Sequence, residues 1–204
     1  MSTSITIDEL RSAMWQFQGS RCWNVCTCEC AQSLRLSFGK AVESRVYNQS
    51  LKKRYDGQYE LFVLCSWRLD SPDSRICGAG CDHDKIKQTA SCLIGDTFES
   101  IEIIPPFCDA TVHFRSGKKL RIFCDYFDKD GSNWFCSDKE SWYDAGNAGS
   151  ENQPRQGERF DLVSDVLHDP EQIDWQFVIS DSLPGALGCY IPENGESDDQ
   201  PEEK

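Results

Sequence analysis

The residues best suited to chemistry are Cys77-Gly-Ala-Gly-Cys81-Asp-His83, two thiols and an imidazole within seven positions. Thiolate and imidazole are the donors zinc prefers, and the intervening glycines let a chain wrap around an ion. Cys92, or the group between Cys22 and Cys30, could supply a fourth ligand. A second matched Cys-x2-Cys pair, the stronger sign of a structural zinc site, is missing. Cys26, Cys28 and Cys30 recur at period two, which on a strand places them on one face and suits packing as well as metal or redox use. No Cys-x-x-Cys redox motif occurs.

Other chemistries lack their parts. The chain has no Gly-x-Ser-x-Gly elbow, no phosphate loop and no His-Glu-x-x-His helix. Its three histidines are His83, His113 and His168. A Cys–His pair assembled in space stays open as a cysteine-dependent enzyme, with Cys81 as the thiol to test. The carboxylates Glu99, Glu102, Asp109 and Asp125 lack the adjoining Glu-x-Lys arrangement of a metal-dependent nuclease.

The elements that must position these residues centre on Leu93–Phe127. There apolar and polar residues alternate through three short strands and two turns, as a half-buried antiparallel sheet requires. Ala110, Val112 and Phe114 share one face with Leu120, Ile122 and Cys124. Same-face residues pair across strands only if the turn is odd, so Arg115–Lys119 is expected as a five-residue turn around Ser116-Gly117-Lys118. Phe114 would then face Leu120, and Gly117 would sit at or beside a positive φ. The outer face would carry His113 opposite Arg121, Arg115 opposite Lys119, and Asp109 opposite Asp125. His113, Arg115, Lys119 and Arg121 thus form a basic strip, a candidate docking surface for an acidic group or an ordinary solvated face.

Before this core, residues 4–18 predict a helix with Thr6 and Glu9 at capping-box spacing, an Ile7, Leu10, Met14, Phe17 stripe and Gly19 as its stop. Leu34, Leu36 and Phe38 predict a strand. Residues 43–57, including Lys52, Lys53 and Arg54, predict a loop or short helix. Gln58–Leu69 predicts one apolar strand covered on both faces. Residues 71–87 read as a connector, and Asp128–Gly146 as an aromatic stretch with a turn near Gly131. Phe160, Val163 and Leu167 have helical spacing, and Asp174–Ser180 predicts a late strand.

These elements imply an α+β fold. A mainly antiparallel sheet carries the N-terminal helix in a domain over 1–143. A polar linker follows at 144–159, a helix–strand segment at 160–191 and a disordered acidic tail at 192–204.

The 204 residues carry a net charge of −13, which repels nucleic acid and steers encounter with basic partners. A chain this long can bury roughly 70% of its unfolded surface, so folding needs neither metal nor disulfide. No stretch approaches the ~20 apolar residues of a membrane span. The start of the chain lacks secretory-signal character, so a cytoplasmic setting with reduced thiols is expected for the 12 cysteines.

Leu34-Arg-Leu36-Ser-Phe38-Gly39, Gly57-Gln-Tyr59-Glu-Leu61-Phe-Val63 with Trp67-Arg68-Leu69, and Ile94-Gly95 onward carry a resemblance over residues 10–145. In these motifs the chain resembles small uncharacterised bacterial domain proteins that are similar to immunity proteins of bacterial toxin systems. The resemblance implies a single α+β domain that binds and blocks a toxin, without catalytic residues or cofactor. Toxic nucleases are commonly basic, which suits an acidic inhibitor. The expectation is therefore a non-enzymatic binding protein with a protein partner, a basic bacterial toxin being the instance the resemblance implies, and no nucleic acid or membrane partner. The alternative is a zinc-binding structural or regulatory protein built on Cys77, Cys81 and His83, and the third is the cysteine-dependent enzyme.

Overall fold

A computed structural model describes residues 3–27, 33–44, 55–125, 132–146, 154–158, 162–172 and 188–190. In chain order the elements are β1 (Thr3–Ser4), α1 (Ile7–Trp15), β2 (Cys22–Thr27), β3 (Leu34–Ser44), β4 (Tyr55–Val63), β5 (Ser66–Asp70), β6 (Arg75–Gly78), α2 (His83–Ala90), β7 (Phe98–Ile104), β8 (Asp109–Phe114), β9 (Lys119–Phe123), β10 (Trp134–Ser137), β11 (Ser141–Asp144), β12 (Arg155–Glu158), β13 (Leu162–His168) and β14 (Gly188–Tyr190). Among the described residues the protein is mostly antiparallel β-sheet with two α-helices, consistent with the α+β class. A nine-stranded sheet runs β1-β12-β11-β10-β4-β3-β2-β14 with β13 also on β3, and a five-stranded sheet runs β6-β5-β9-β8-β7.

Alternation dictates how the sheets meet. Ala110, Val112, Phe114, Leu120, Ile122, Trp67 and Leu69 are buried on one face of the smaller sheet. Leu34, Leu36, Phe38, Leu61, Val63 and Trp134 are buried on one face of the larger. All belong to one apolar core. Phe38 of β3 stacks on Phe114 of β8 at 6.5 Å and meets Phe98 of β7 edge-on at 5.8 Å, tying the sheets together. Phe17, just after α1, packs on Phe38 and Phe98. Helix α1 begins with the expected capping box between Thr6 and Glu9. It buries Leu10 and Met14, and Arg11 Nη2 donates to the Ile103 carbonyl of β7 at 2.7 Å. Gly19, at φ 79°, closes that segment by donating to the Phe98 carbonyl.

Four expectations need correction. The single strand over 58–69 is two strands, broken at Leu64 and Cys65, whose amides both donate to the Asn133 carbonyl. There the chain passes from the larger sheet to the smaller. The connector contains β6 and α2, since Ile86 and Ala90 lie one helical turn apart and are both buried. The polar linker over 144–159 contains β12, which pairs with β11 and β1. Strand pairing uses backbone groups, so a polar sequence can supply it.

The helix expected around Val163 and Leu167 is strand β13, pairing Leu167 with Val42 and His168 with Ala41 of β3. That end of β3 extends past its pairing with β2, which stops at Phe38, and its backbone groups require a partner. Cys28, Cys30, Lys52, Lys53, Arg54, the turn near Gly131, Phe160, the late strand over 174–180 and the tail over 192–204 lie outside the described residues.

Candidate functional site

The β8–β9 hairpin sets the geometry of the exposed face of the smaller sheet. Val112 faces Leu120 and Ala110 faces Ile122, so the odd turn holds. The register is nevertheless one pair tighter than expected, with Arg115–Gly117 forming the loop. Phe114 N donates to Lys118 O at 3.0 Å and Gly117 N to Phe114 O at 2.8 Å, with Gly117 at φ 84°. The Asp96 carboxylate fixes this tighter loop by accepting from Ser116 N at 3.2 Å and Lys118 Nζ at 3.2 Å, and from Ser116 Oγ. The outer pairs shift accordingly. His113 faces Lys119 and Thr111 faces Arg121. Asp109 turns to accept from Cys124 N at 2.7 Å, in place of facing Asp125.

The outer face therefore presents three rows. Ile104, Asp109, Phe123 and Ser66 form the first, then Glu102, Thr111, Arg121 and Arg68, then His113, Lys119 and Asp70. The basic strip is not bare. Arg121 Nε and Arg68 Nε both donate to Asp70, at 3.0 and 3.1 Å. His113 lies 3.5 Å from Glu102, a pairing that needs a protonated imidazole. Arg115 sits in the loop, exposed, its amide bonded to the Thr97 carbonyl. Arg68 stands over the Phe123 ring at 6.0 Å. Of the four basic residues expected to act together, the structure groups His113, Lys119 and Arg121 on the strands and leaves Arg115 at their end.

The sequence reading missed the apolar rim of this face. Ile104, at the end of β7, is 55% exposed and Phe123, at the end of β9, 39%, both in the first row; Phe107, 52% exposed, lies in the turn that joins β7 to β8, and Leu64, 40% exposed, between β4 and β5. The signal was Pro105-Pro106-Phe107, a turn without the usual polar residues.

The cysteine loop does not assemble as expected. Cys77 is buried in β6, where burial raises its thiol, and Cys81 follows the turn. His83 opens α2, and its Nε2 lies 3.0 Å from Thr27 Oγ1. Among the described residues no three His, Cys, Asp or Glu side chains converge to hold a metal ion.

The sequence reading also missed a buried ionic cluster on the outer face of the larger sheet. Arg35 Nε and Nη2 donate to the two Glu60 carboxylate oxygens at 2.8 and 3.0 Å, and Nη2 also donates to Asp56. Ser37 Oγ donates to Glu60 at 3.1 Å, and the Gly57 amide donates to it as well. Its signal was one glutamate inside the most apolar strand of the chain, Tyr59-Glu60-Leu61-Phe62-Val63. No protein-family model, curated protein or solved structure matches the chain.

Proposed function

We propose that the protein is a non-enzymatic binding module that docks a protein partner on the outer face of its five-stranded sheet. The favoured instance is an immunity-type inhibitor that neutralises a bacterial toxin by direct contact, acting in the cytoplasm. One observation supports the docking surface above the others: an open sheet face where Arg68 and Arg121 flank one carboxylate beside an exposed Phe123 and an apolar rim. Arginine and aromatic side chains are the residue types that concentrate binding energy at interfaces. The net charge of −13 supports a basic partner at long range. At contact, Arg68 and Arg121 favour a partner carboxylate, with Ile104, Phe107 and Phe123 covered by apolar surface. The toxin instance rests on the motif resemblance.

The test is co-expression with the products of the genes on either side, followed by size-exclusion chromatography. A stoichiometric complex is expected, and Arg121→Glu with Phe123→Ala should weaken it by about 100-fold or more, since two central anchors are each worth roughly 1–2 kcal/mol or more. Unchanged circular dichroism would show the variant folded. A complex that tolerates both substitutions would refute this face, and no complex with either neighbour would count against the immunity role.

A further inference from the structure

The β5–β9 ladder pairs Trp67 with Ile122 and Ser66 with Phe123. Extending the same antiparallel register one step past the strand ends puts Cys65 opposite Cys124. Parity places both on the inner face with Trp67 and Ile122, and each is 7% exposed. Neither amide belongs to the ladder there: Cys65 N donates to Asn133 O at 3.1 Å, and Cys124 N to Asp109 Oδ1 at 2.7 Å. Opposed residues at such a site have α-carbons about 4.5 Å apart, within the roughly 4.4–6.8 Å that a disulfide spans. The Cys65 thiol is close enough to raise the Cys124 thiol, which is also pushed up by burial. Both thiols are free in this structure.

We propose that Cys65 and Cys124 are a redox pair, closing to a cross-strand disulfide when a peroxide supplies the oxidising equivalents. One thiol of the pair attacks a peroxide oxygen, breaking the O–O bond and giving a sulfenic acid and one water. The other sulfur then displaces the sulfenic oxygen as a second water. Two S–H bonds and the O–O bond break, one S–S bond forms, and the two sulfurs lose the two electrons that the peroxide gains. Burial of both thiols makes closure slow compared with an exposed, low-pKa thiol. The bond would fix the point where the chain passes between the sheets, directly behind Phe123 and Leu64.

The test is a disulfide map of the reduced full chain after hydrogen peroxide, catalase quenching, alkylation and digestion without reductant. The expected result is a Cys65–Cys124 peptide link as the dominant internal crosslink, two hydrogens lighter and reversed by dithiothreitol. Cys65→Ser should abolish it, and Cys92→Ser, at an exposed thiol elsewhere, should leave it intact. Recovery of both cysteines as alkylated thiols would overturn the proposal, as would a dominant link from Cys124 to the neighbouring Cys108. The wild-type map decides the matter even if a variant misfolds. The same preference in chain oxidised in guanidinium would refute the register as its cause.

Discussion

Replacing Arg35 by methionine removes the only cation described between two buried carboxylates. Side-chain exposure is 2% for Arg35, 1% for Asp56 and 0% for Glu60, so water cannot take over the role of the guanidinium. Methionine fills much of the volume and keeps contact with Phe62, over whose ring the guanidinium stands at 5.0 Å. The loss is therefore electrostatic more than steric. Breaking a buried pair from one side costs about 3–5 kcal/mol, a large share of the ~5–15 kcal/mol that holds a typical domain folded. At a urea dependence of about 2 kcal/mol per molar, the unfolding midpoint followed by tryptophan fluorescence should fall by ~2 M. Adding Asp56→Asn and Glu60→Gln deletes the charges, with the Gln oxygen left to accept from the Gly57 amide and its amino group to donate to Ser37 Oγ, and should recover more than half of the loss. A single-variant loss below about 1 kcal/mol, the range of an exposed pair, would refute the buried-charge account.

Further perturbations probe the elements that hold the open face in place. Thr6→Ala deletes the capping box of α1 and should cost about 1 kcal/mol by denaturant unfolding. Gly57→Ala would bring a β-carbon to 2.6 Å from Tyr59 O and 2.8 Å from Phe38 N, both backbone atoms, and should destabilise by about 1–3 kcal/mol, as overpacked sites do. At Asp96 burial works to raise the carboxyl, but bonds from Ser116, Thr97 and Lys118 outweigh it and hold the group below its ordinary value. A depressed carboxylate stabilises above its unfolded pKa, about 3.9, and loses that contribution as pH falls through the lower folded value. The stability gap between wild type and Asp96→Asn should accordingly be widest near neutrality and close under acid, read by unfolding curves across pH.

Local signals carried much of the fold. Thr6 and Glu9 declared the helix start, and the alternation from Ala110 to Ile122 declared the inner face and an odd turn. Both depend on neighbours within a few residues. The tighter register depends on Asp96, some 20 residues from Ser116, which pattern alone cannot supply. The passage between sheets at Leu64 and Cys65 depends on Asn133, and β13 on the backbone left over at the end of β3. These are long-range hydrogen-bond requirements, and Val163 and Leu167 fit a helix as well as a strand until that partner is known. For the candidate site, Arg121, Lys119 and His113 were readable from parity, whereas Arg68 and Asp70 joined them only through the β5–β9 pairing.

That pairing changes what the open face can do. A bare basic strip would attract many anions weakly, with each long side chain losing rotamer freedom on contact. Here Asp70, 16% exposed, holds Arg68 at 2.9 Å and Arg121 at 3.0 Å, and Arg68 also rests over Phe123. If this face docks a partner as proposed, the two guanidiniums are held beforehand, which would reduce the ordering cost of binding and favour one geometry of approach. Glu102 and Asp109 flank them, so an acidic surface placed out of register meets repulsion. Two sheet faces of one protein thus treat charge oppositely. The larger sheet buries its arginine against two carboxylates, where it fixes structure, while the smaller shares one carboxylate between two half-exposed arginines. Only the second arrangement leaves positive charge to be matched from outside, and it lies beside the row that carries Ile104 and Phe123, where apolar contact could exclude water around it.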